Sequence, residues 1–354
     1  MSLFTEITSL EHEQIMLCYD RSTNLKAIIA IHNTVLGPAL GGTRFWNYAS
    51  EEAALTDVLR LSRGMTYKAA AAGLNLGGGK AVIIGDPKQI KSEALLRRFG
   101  KFVENLNGKY ITAEDVGVNE KDMEYIHYET SHVTGIPISI GGSGDPSPFT
   151  AYGVYIGMKA TAKKLYGSED LSKKKIVVQG VGKVGYYLIS HLRKEGATVY
   201  AYDIQEDALK KAVNEFKVIP IDANKIFETD AEIYAPCALG ATINPESLAK
   251  MKFEMIAGGA NNQLLEEERD GNSLMQKGIL YAPDFVINAG GLMNVYTELE
   301  GYSKERAIEK VETIYTNLEK VYQMAETQKM NTQKAAIQLA ENRIHAIANI
   351  KKFM

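Results

Sequence analysis

The sequence predicts an α/β protein of two domains. Strand-like apolar runs alternate with amphipathic helical segments along most of the chain, and this alternation is typical of α/β folds that contain a parallel sheet. A segment dense in glycine and proline, 135–149, interrupts the alternation as a linker would. The length of 354 residues also favours two domains over one.

The N-terminal part predicts strands separated by two helices. Ser50 is expected to cap the first helix, because Glu51 and Glu52 then occupy its first turn. This helix is expected to end near Gly64, and Ser92 is expected to begin the second helix. The predicted strands are 25–32, 80–85 and 110–113.

The segment 135–149 predicts a loop or hinge, and we place the domain boundary there. Its sequence, GIPISIGGSGDPSPF, breaks both helical and strand periodicity. Two domains joined by such a hinge can close on a ligand and exclude water from it.

The C-terminal part predicts a repeated strand–helix pattern that is typical of a doubly wound parallel sheet. Pro148 suits the first turn of a helix over 148–166, where a missing N–H costs nothing. Ser303 is expected to cap a long helix, and a last helix is expected from about Thr332 to the end of the chain. The predicted strands are 175–180, 197–204, 233–234, 255–257 and 280–281, with helices up to about Gly196 and over 206–216.

Composition and charge exclude several classes of protein. With 45% hydrophobic residues the chain can bury a core, and a net charge of −3 argues against nucleic acid as a partner. No apolar stretch is long enough to cross a membrane, and the first residues lack the pattern of a signal peptide. Two isolated cysteines and six scattered histidines predict neither disulfides nor a metal site. We therefore expect a cytoplasmic protein.

A glycine-rich motif predicts a dinucleotide site. Gly180-Val181-Gly182-Lys183-Val184-Gly185 follows a predicted strand and opens a predicted helix, which is the context that a phosphate-binding G-x-G-x-x-G turn requires. Asp203 ends the next strand, where a carboxylate accepts hydrogen bonds from ribose hydroxyls and repels the 2′-phosphate of NADP. The motif therefore favours NAD as the cofactor.

Two lysines form a second candidate site. Lys68 ends the run GMTYK, and Lys80 follows three glycines and precedes a buried strand. A lysine beside another cation in a partly desolvated pocket has a lowered pKa and can act as a base, while the other cation can hold a carboxylate. Spacing alone leaves open that both are surface lysines flanking a turn, although the glycines favour function.

Further polar residues follow predicted strands. Glu114 and Asp115 come at the end of one strand, where catalytic groups often lie, although a solvated loop carboxylate is the more common finding. Three loops in the second half are expected to line the dinucleotide site: 236–240, 258–263 and 288–291. Cys237 lies in the first of them without a basic neighbour, so packing is favoured over a nucleophilic role.

These residues resemble those of the Glu/Leu/Phe/Val amino acid dehydrogenases, and the resemblance extends from about Leu10 to the C-terminus. Its most specific runs are VLGPALGG, RGMTYK, AGLNLGGGKAVIIGDP, YITAEDVG, APCALG, ANNQL and 281–295. It implies two domains separated by a cleft: a substrate-binding and oligomerisation domain, 1–135 plus 331–354, and an NAD-binding Rossmann-type domain, 136–330. It also implies a homo-oligomer, of which the octamer is a common form.

The resemblance implies specific site residues. Lys80 is expected to be the catalytic base, Asp115 to assist proton transfer, and Lys68 to bind the substrate carboxylate. The other expected substrate contacts are Leu40, Gly41, Gly42, Met65, Ala113, Thr134, Leu292 and Val295. The expected cofactor contacts are the motif 180–185 with Gly180, Val181, Gly182, Lys183, Val184 and Gly185, together with Tyr186, Asp203, Ile204, Thr150, Cys237, Ala238, Leu239, Ala260, Asn261, Asn262 and Asn288.

The expected reaction is the NAD-dependent, reversible oxidative deamination of L-leucine and related branched-chain L-amino acids to 2-oxo acids and ammonia. The expected pocket is apolar, which disfavours glutamate because its side-chain carboxylate needs a cation. A phenylalanine- or valine-specific member of the family is the nearest alternative, since one methylene in an apolar pocket is worth only about 1–3 kcal/mol. A non-catalytic NAD-binding regulatory subunit is an alternative of another class, and it would have no need for the two lysines and Asp115 together.

Overall fold

A computed structural model describes residues 7–351 of the chain. The described residues contain eleven strands. They are β1 (Gln14–Asp20), β2 (Leu25–Asn33), β3 (Ala39–Trp46), β4 (Gly77–Ile84), β5 (Tyr110–Glu114), β6 (Lys175–Gln179), β7 (Thr198–Tyr202), β8 (Ile219–Pro220), β9 (Ile233–Pro236), β10 (Met255–Ile256) and β11 (Leu280–Tyr281).

Helices separate most of these strands. In the described part of the chain they are α1 (Glu51–Ala71), α2 (Pro87–Ile90), α3 (Glu93–Glu104), α4 (Glu120–His127), α5 (Ser147–Tyr166), α6 (Lys183–Glu195), α7 (Glu206–Phe216), α8 (Pro245–Lys250), α9 (Glu267–Lys277), α10 (Asp284–Ile287), α11 (Gly290–Leu299), α12 (Lys304–Gln328) and α13 (Thr332–Lys351). The end of the predicted last helix, 352–354, lies outside the described residues.

The first sheet has five strands in the order β1-β2-β4-β3-β5. Strand β4 pairs antiparallel with β2 and parallel with β3, which is also parallel to β5. Side chains alternate between the two faces of the strands. Val82 packs with Val58 and Leu59 of α1 on one face, while Ile83 packs with Phe99 of α3 on the other. The carboxyl ends of β3, β4 and β5 therefore lie at one edge of a sheet that is covered on both faces.

The structure corrects two predictions in this region. Helix α1 continues through Gly64 to Ala71, because Thr66 and Ala69 are buried and this packing outweighs the cost of about 1 kcal/mol for one helical glycine. Strands β1 and β3 were not predicted. The sequence ALGGTRFW of β3 contains two glycines that are typical of a turn, yet β3 is bonded to a strand on each side. The expected caps Ser50 and Ser92 are confirmed, since each side chain accepts a backbone N–H of its helix.

The second sheet is entirely parallel, with six strands in the order β11-β10-β9-β6-β7-β8. Read from β8, the order is that of a doubly wound dinucleotide-binding fold, in which the strand order reverses between the first and fourth strands. These two strands are β6 and β9. The expected α/β fold with a Rossmann-type sheet is thus confirmed, and the loops after β6 and β9 flank the position where such sheets bind ligands.

The chain divides into two compact units. The first comprises the described residues through Asp145, Val295–Lys304, and the described residues from Ala340. The second comprises Pro146–Asn294 and Glu305–Leu339. Compared with the expected domains, 136–145 and 295–304 lie in the first unit and 331–339 in the second.

Local packing explains this division of the last helix. At its start, the Thr332 hydroxyl donates to the carbonyl of Tyr281 in the second unit at 2.8 Å. Further along, Arg343 donates to the carbonyl of Leu74 at 2.6 Å, and Ile344 packs with Leu36 in the first unit. Over residues 7–351, no helix has the length and apolarity needed to cross a bilayer, and no cluster of side chains is suited to a metal ion.

Candidate active site

In the first unit, the structure brings together two of the predicted catalytic residues. Lys80 lies within β4 and is 7% exposed. Asp115 directly follows β5, and the Lys80 ammonium donates to its Oδ2 atom. The other carboxylate oxygen accepts the backbone N–H of Val116 at 2.8 Å. The carboxylate is therefore fixed in orientation by its own loop and lies against a buried amine.

Arg44 on β3 is a second cation at this carboxylate, and sequence reasoning missed it. Its Nε atom lies 3.5 Å from Oδ2 of Asp115. Burial by itself would raise the pKa of the Asp115 carboxyl, but the charges of Lys80 and Arg44 outweigh burial and hold that pKa at about 2. Asp115 is consequently ionised at neutral pH.

Arg44 is held in place from its far side. Its Nη1 atom donates to Asp57 of α1 at 2.9 Å, and the Tyr48 hydroxyl donates to the same Asp57 oxygen at 2.6 Å. The charged cluster therefore alternates in sign from Asp57 through Arg44 and Asp115 to Lys80. An arginine inside the otherwise apolar run ALGGTRFW was the available sequence signal, because a charge within a buried strand requires a partner.

The glycines around Lys80 are required for close packing of the chain on itself. A Cβ atom at Gly78 would lie 2.1 Å from Oγ1 of Thr66 on α1, and one at Gly79 would lie 2.7 Å from the ring of Tyr110. At Gly41 it would lie 1.7 Å from the carbonyl oxygen of Gly79. In the sequence, the glycines before Lys80 favour function. The structure shows that they also have a packing role, because helix α1 and strand β3 approach β4 at backbone distance.

Two of the expected substrate contacts of the first unit, Gly42 and Ala113, lie close to Asp115. Gly42 lies opposite Ala113 in the β3–β5 register, and a Cβ atom at Gly42 would lie 2.9 Å from that of Asp115. Leu40 lies opposite Gly78, two residues before Lys80. Leu40, Ala113, Thr134 and Val295 are all buried.

Helix α1 carries the other two expected contacts of this unit. Met65 and Lys68 are half-buried in its last two turns, on either side of the buried Thr66. Thr66 is bonded to Nδ1 of His32 at 2.8 Å, and Ser62, one turn earlier, is bonded to Nε2 of His12 at 2.8 Å. Burial and neighbouring charges lower the pKa of His32 to about 4, so this ring is neutral near pH 7. His32 ties α1 to β2, and His12 ties it to the segment before β1, without adding charge.

In the second unit, the predicted glycine-rich motif forms the turn from β6 into α6. Gly180 has φ +100°, and a Cβ atom there would lie 2.7 Å from Ala238 in the loop after β9. A Cβ atom at Gly185 would lie 2.0 Å from the carbonyl of Gly180. Gly182 is the N-cap of α6, with no side-chain cap and with open space around it. Val181, Lys183 and Val184 complete this turn, and a helix N-terminus of this kind is suited to bind an anion.

Asp203 lies beside this turn, at the carboxyl end of β7. Its Oδ2 atom accepts the backbone N–H of Val181 at 2.5 Å, and its Oδ1 atom accepts that of Gln205 at 2.7 Å. The carboxylate therefore fixes the glycine-rich turn from the side. Ile204 follows it and is 74% exposed, and Leu239 in the loop after β9 is 77% exposed. Tyr186 is another expected cofactor contact, and its hydroxyl donates to Glu215 of α7 at the surface of the unit.

The remaining expected cofactor residues line the loops that follow β9 and β10. Burial raises the pKa of the Cys237 thiol to about 11, which favours a packing role over that of a thiolate nucleophile at neutral pH. A Cβ atom at Gly240 would lie within 2.9 Å of the carbonyls of Asn261 and Asn262. The amide of Asn288 donates to Oδ1 of Asn261 at 2.8 Å and to the carbonyl of Ala260 at 3.3 Å. Asn288 therefore ties the end of α10 to the loop after β10.

The N-termini of α5 and α11 also meet in this unit. Thr150 of α5 donates to the carbonyl of Pro146 at 3.1 Å, and a Cβ atom at Gly291 would lie 2.5 Å from its hydroxyl oxygen. Leu292 follows on α11 and is buried. The buried Oδ1 atom of Asn288, just before this helix, has no hydrogen-bond partner among the described residues. It is available as an acceptor for a bound group.

Comparison with known families gives matches over nearly the whole chain. Residues 12–132 match the family model "Glu/Leu/Phe/Val dehydrogenase, dimerisation domain". Residues 141–206 and 202–351 match the model "Glutamate/Leucine/Phenylalanine/Valine dehydrogenase". The first match contains Lys68, Lys80 and Asp115, and the second contains the glycine-rich turn.

Individual relatives extend this result. The chain is 54% identical to a leucine dehydrogenase from Bacillus cereus over 349 residues, which are 99% of this chain and 95% of that protein. It is 46% identical to a phenylalanine dehydrogenase from Caldalkalibacillus thermarum, over 100% of this chain and 96% of that one. The crystal structure of L-tryptophan dehydrogenase from Nostoc punctiforme matches with a TM-score of 0.84 and 42% identity, over 98% of this chain and 100% of that one.

Proposed function

The chain belongs to the Glu/Leu/Phe/Val dehydrogenase family and is an amino acid dehydrogenase, and from this premise we propose its reaction. The proposed reaction is the NAD-dependent, reversible oxidative deamination of L-leucine and related branched-chain L-amino acids to 2-oxo acids and ammonia. The 54% identity to a leucine dehydrogenase over nearly the whole chain supports leucine as the first substrate. Valine and isoleucine are expected to follow, because they differ from leucine by little apolar volume.

The observation that carries this proposal is the buried contact between Lys80, within β4, and Asp115, directly after β5. In its neutral form, Lys80 would accept a proton as the substrate amine becomes an imine. Lys80 and Asp115 would then pass protons to and from the water that adds to the imine carbon, until ammonia leaves and the 2-oxo acid remains. Asp115, ionised before reaction, would also hold the substrate ammonium group.

The side chains around this pair would provide substrate specificity. Lys68 would bind the α-carboxylate, together with backbone at Gly41 and Gly42. The substrate side chain would contact apolar residues of the first unit, which are Leu40, Met65, Ala113 and Val295, with the Thr134 methyl group. A pocket of this composition favours an aliphatic side chain, since none of these residues can pair with a second carboxylate.

The residues of the second unit fit a dinucleotide. Dehydrogenases of this family depend on a pyridine nucleotide, and the uncapped N-terminus of α6 with the open space at Gly182 would hold its pyrophosphate. We propose NAD in particular, because the Asp203 carboxylate beside the turn would accept from the ribose hydroxyls and repel a 2′-phosphate. When bound, the nicotinamide supplies the acceptor for the substrate hydride. Thr150, Asn262 and the unpartnered Oδ1 of Asn288 would hold its polar groups.

The family model that matches the first unit is named for dimerisation, so the enzyme assembles as an oligomer. We propose the octamer as the size of this assembly. We also propose a cytoplasmic location, which the two unpaired cysteines support.

A spectrophotometric assay tests the proposed function. The purified protein is mixed with NAD or NADP and each of leucine, valine, isoleucine, phenylalanine and glutamate, and the absorbance of the reduced nicotinamide is followed. We expect the highest kcat/KM with leucine and NAD, and little reaction with glutamate. If phenylalanine is the best substrate, leucine is wrong as the first substrate, and the protein resembles the 46%-identical phenylalanine dehydrogenase in its specificity. If no amino acid reacts, the proposed function is overturned.

An Asp203→Ser variant tests the cofactor assignment in the same assay. The preference for NAD over NADP should narrow, because the repelling charge is removed, while the preference among amino acids should not change. An unchanged cofactor preference would show that Asp203 does not face the ribose.

A further inference from the structure

In the first unit, one carboxylate binds both ends of a compact loop. The loop, 136–142, is held by its own backbone: the N–H groups of Ile140 and Gly142 donate to the carbonyl of Pro137 at 3.0 and 3.1 Å. Gly135 and Ser143 form its two ends. The side chain of Glu298, from helix α11, lies between them.

A single oxygen of this carboxylate binds three donors. Oε2 of Glu298 accepts the backbone N–H of Gly135 at 2.9 Å, the N–H of Ser143 at 2.8 Å and the Ser143 hydroxyl at 2.6 Å. Its other oxygen is buried and has no hydrogen-bond partner among the described residues. Hydrogen bonds to an ionised acceptor are about twice as strong as neutral ones. Three such hydrogen bonds to one atom therefore fix both ends of the loop, Gly135 and Ser143, to α11.

The two segments that Glu298 joins both carry residues of the proposed substrate pocket. Val295 lies three residues before Glu298, and residues at this spacing share one face of a helix. Thr134 precedes Gly135; its N–H donates to the carbonyl of Thr112 on β5 at 2.9 Å, next to Ala113. The carboxylate is thus the link between the helix that presents Val295 and the strand edge that presents Thr134 and Ala113.

We propose that Glu298 is a positioning residue that determines substrate specificity. It fixes the spacing between Val295 on one side and Thr134 with Ala113 on the other, and so sets the length of side chain that the pocket accepts. This inference rests on the proposed function, because it concerns the same pocket. The backbone hydrogen bonds within the loop 136–142 do not involve the Glu298 side chain. Its carboxylate instead binds the two backbone N–H groups at the loop ends, and so sets the separation between this segment and α11.

The test compares Glu298→Ala and Glu298→Gln with the wild type on a series of substrates of increasing length: 2-aminobutyrate, leucine and phenylalanine. In Glu298→Ala the ratio of kcat/KM for leucine to that for each other substrate should fall about tenfold. The reason is that the spacing between Val295 and Thr134 is then no longer fixed. Glu298→Gln keeps an acceptor oxygen of the same reach, so its ratios should stay close to those of the wild type. Glu309→Ala, a change at an exposed glutamate of α12, is the matched control.

Two further measurements separate positioning from a general loss of structure. Ser143→Ala removes only the hydroxyl donor and should change the ratios in the same direction by a smaller factor, even if Glu298→Ala does not fold. Amide hydrogen exchange should show faster exchange at Gly135 and Ser143 in Glu298→Ala. A lowered melting temperature with unchanged substrate ratios would overturn the inference while leaving the proposed function intact. A wild type inactive on every amino acid would instead overturn the proposed function, and the inference with it.

Discussion

At the scale of single residues, Lys80 and Lys68 should respond differently to the same truncation. Lys80→Ala removes the proposed base, so kcat for leucine should fall by a factor of about 10²–10⁴ while NAD binding persists. Lys68→Ala removes the carboxylate anchor, so KM should rise most, with some loss of kcat from misplacement of the substrate. Steady-state kinetics and titration of NAD by protein fluorescence measure both effects. Lys210→Ala, at an exposed position on α7, is the control. Near wild-type kcat in a folded Lys80→Ala protein would refute the role of Lys80.

Arg44 should contribute to stability through the charge of Asp115. In the folded chain the pKa of Asp115 lies near 2, below its ordinary value of 3.8, so its ionised form stabilises the fold above about pH 4. That contribution is lost as the pH falls from about 4 towards 2. Arg44→Met removes one of the two cations, which should raise the pKa of Asp115 and lower the free energy of unfolding at pH 7 by about 1 kcal/mol.

Urea unfolding of the wild type and Arg44→Met at several pH values checks this. The difference in the free energy of unfolding should be largest at neutral pH and shrink below pH 4. Arg44→Lys keeps the positive charge, so its free energy of unfolding at neutral pH should lie between those of the wild type and Arg44→Met. An equal difference at pH 7 and pH 3 would mean that Arg44 acts through packing and not through the charge of Asp115.

At the scale of secondary-structure elements, two glycines test how helix α1 packs on strand β4. Gly64 lies within α1 with open space around it, so Gly64→Ala should raise the free energy of unfolding by about 0.5–1 kcal/mol. Gly78 lies under α1, where a Cβ atom would come within 2.2 Å of the backbone nitrogen of Thr66. Gly78→Ala should therefore lower the free energy of unfolding by about 1–3 kcal/mol or more. Thermal and urea unfolding measure the stability of both variants. An unchanged free energy of unfolding in Gly78→Ala would contradict the close approach of α1 to β4.

At the scale of the whole molecule, the proposed octamer should have a mass about eight times that of the 39.0 kDa chain. Strand β1 is an edge strand of the first sheet and exposes Leu17 and Tyr19, which are 67% and 62% accessible. Exposed apolar edge strands pair readily with another chain. The double variant Leu17→Lys, Tyr19→Lys should shift the assembly to smaller species in light scattering after gel filtration. Ile219→Lys, on the edge strand of the second sheet, is the control. Dissociation by the control alone would assign the interface to the other unit.

The sequence by itself determined much of this protein because its signals are local. The turn Gly180–Gly185 is predictable because a strand, a glycine turn and a helix N-terminus are consecutive in the chain, and the caps Ser50 and Ser92 lie within one helical turn of the groups they bind. Lys80 and Asp115 were predictable as a set only through their resemblance to a family, since they are 35 residues apart.

Only the tertiary structure decided the features that depend on distant partners. Strand β3 contains two glycines and reads as a turn, and it becomes a strand because β4 and β5 bond to its two sides. Helix α1 continues past Gly64 because packing beneath it outweighs the local cost of a glycine. Arg44 at Asp115 and Glu298 between Gly135 and Ser143 were not recognised from sequence. The sequence around a charged side chain does not identify its partner, because the partner is distant in the chain. The fold decides it, since burial of an unpaired charge costs free energy and the buried groups must therefore be paired.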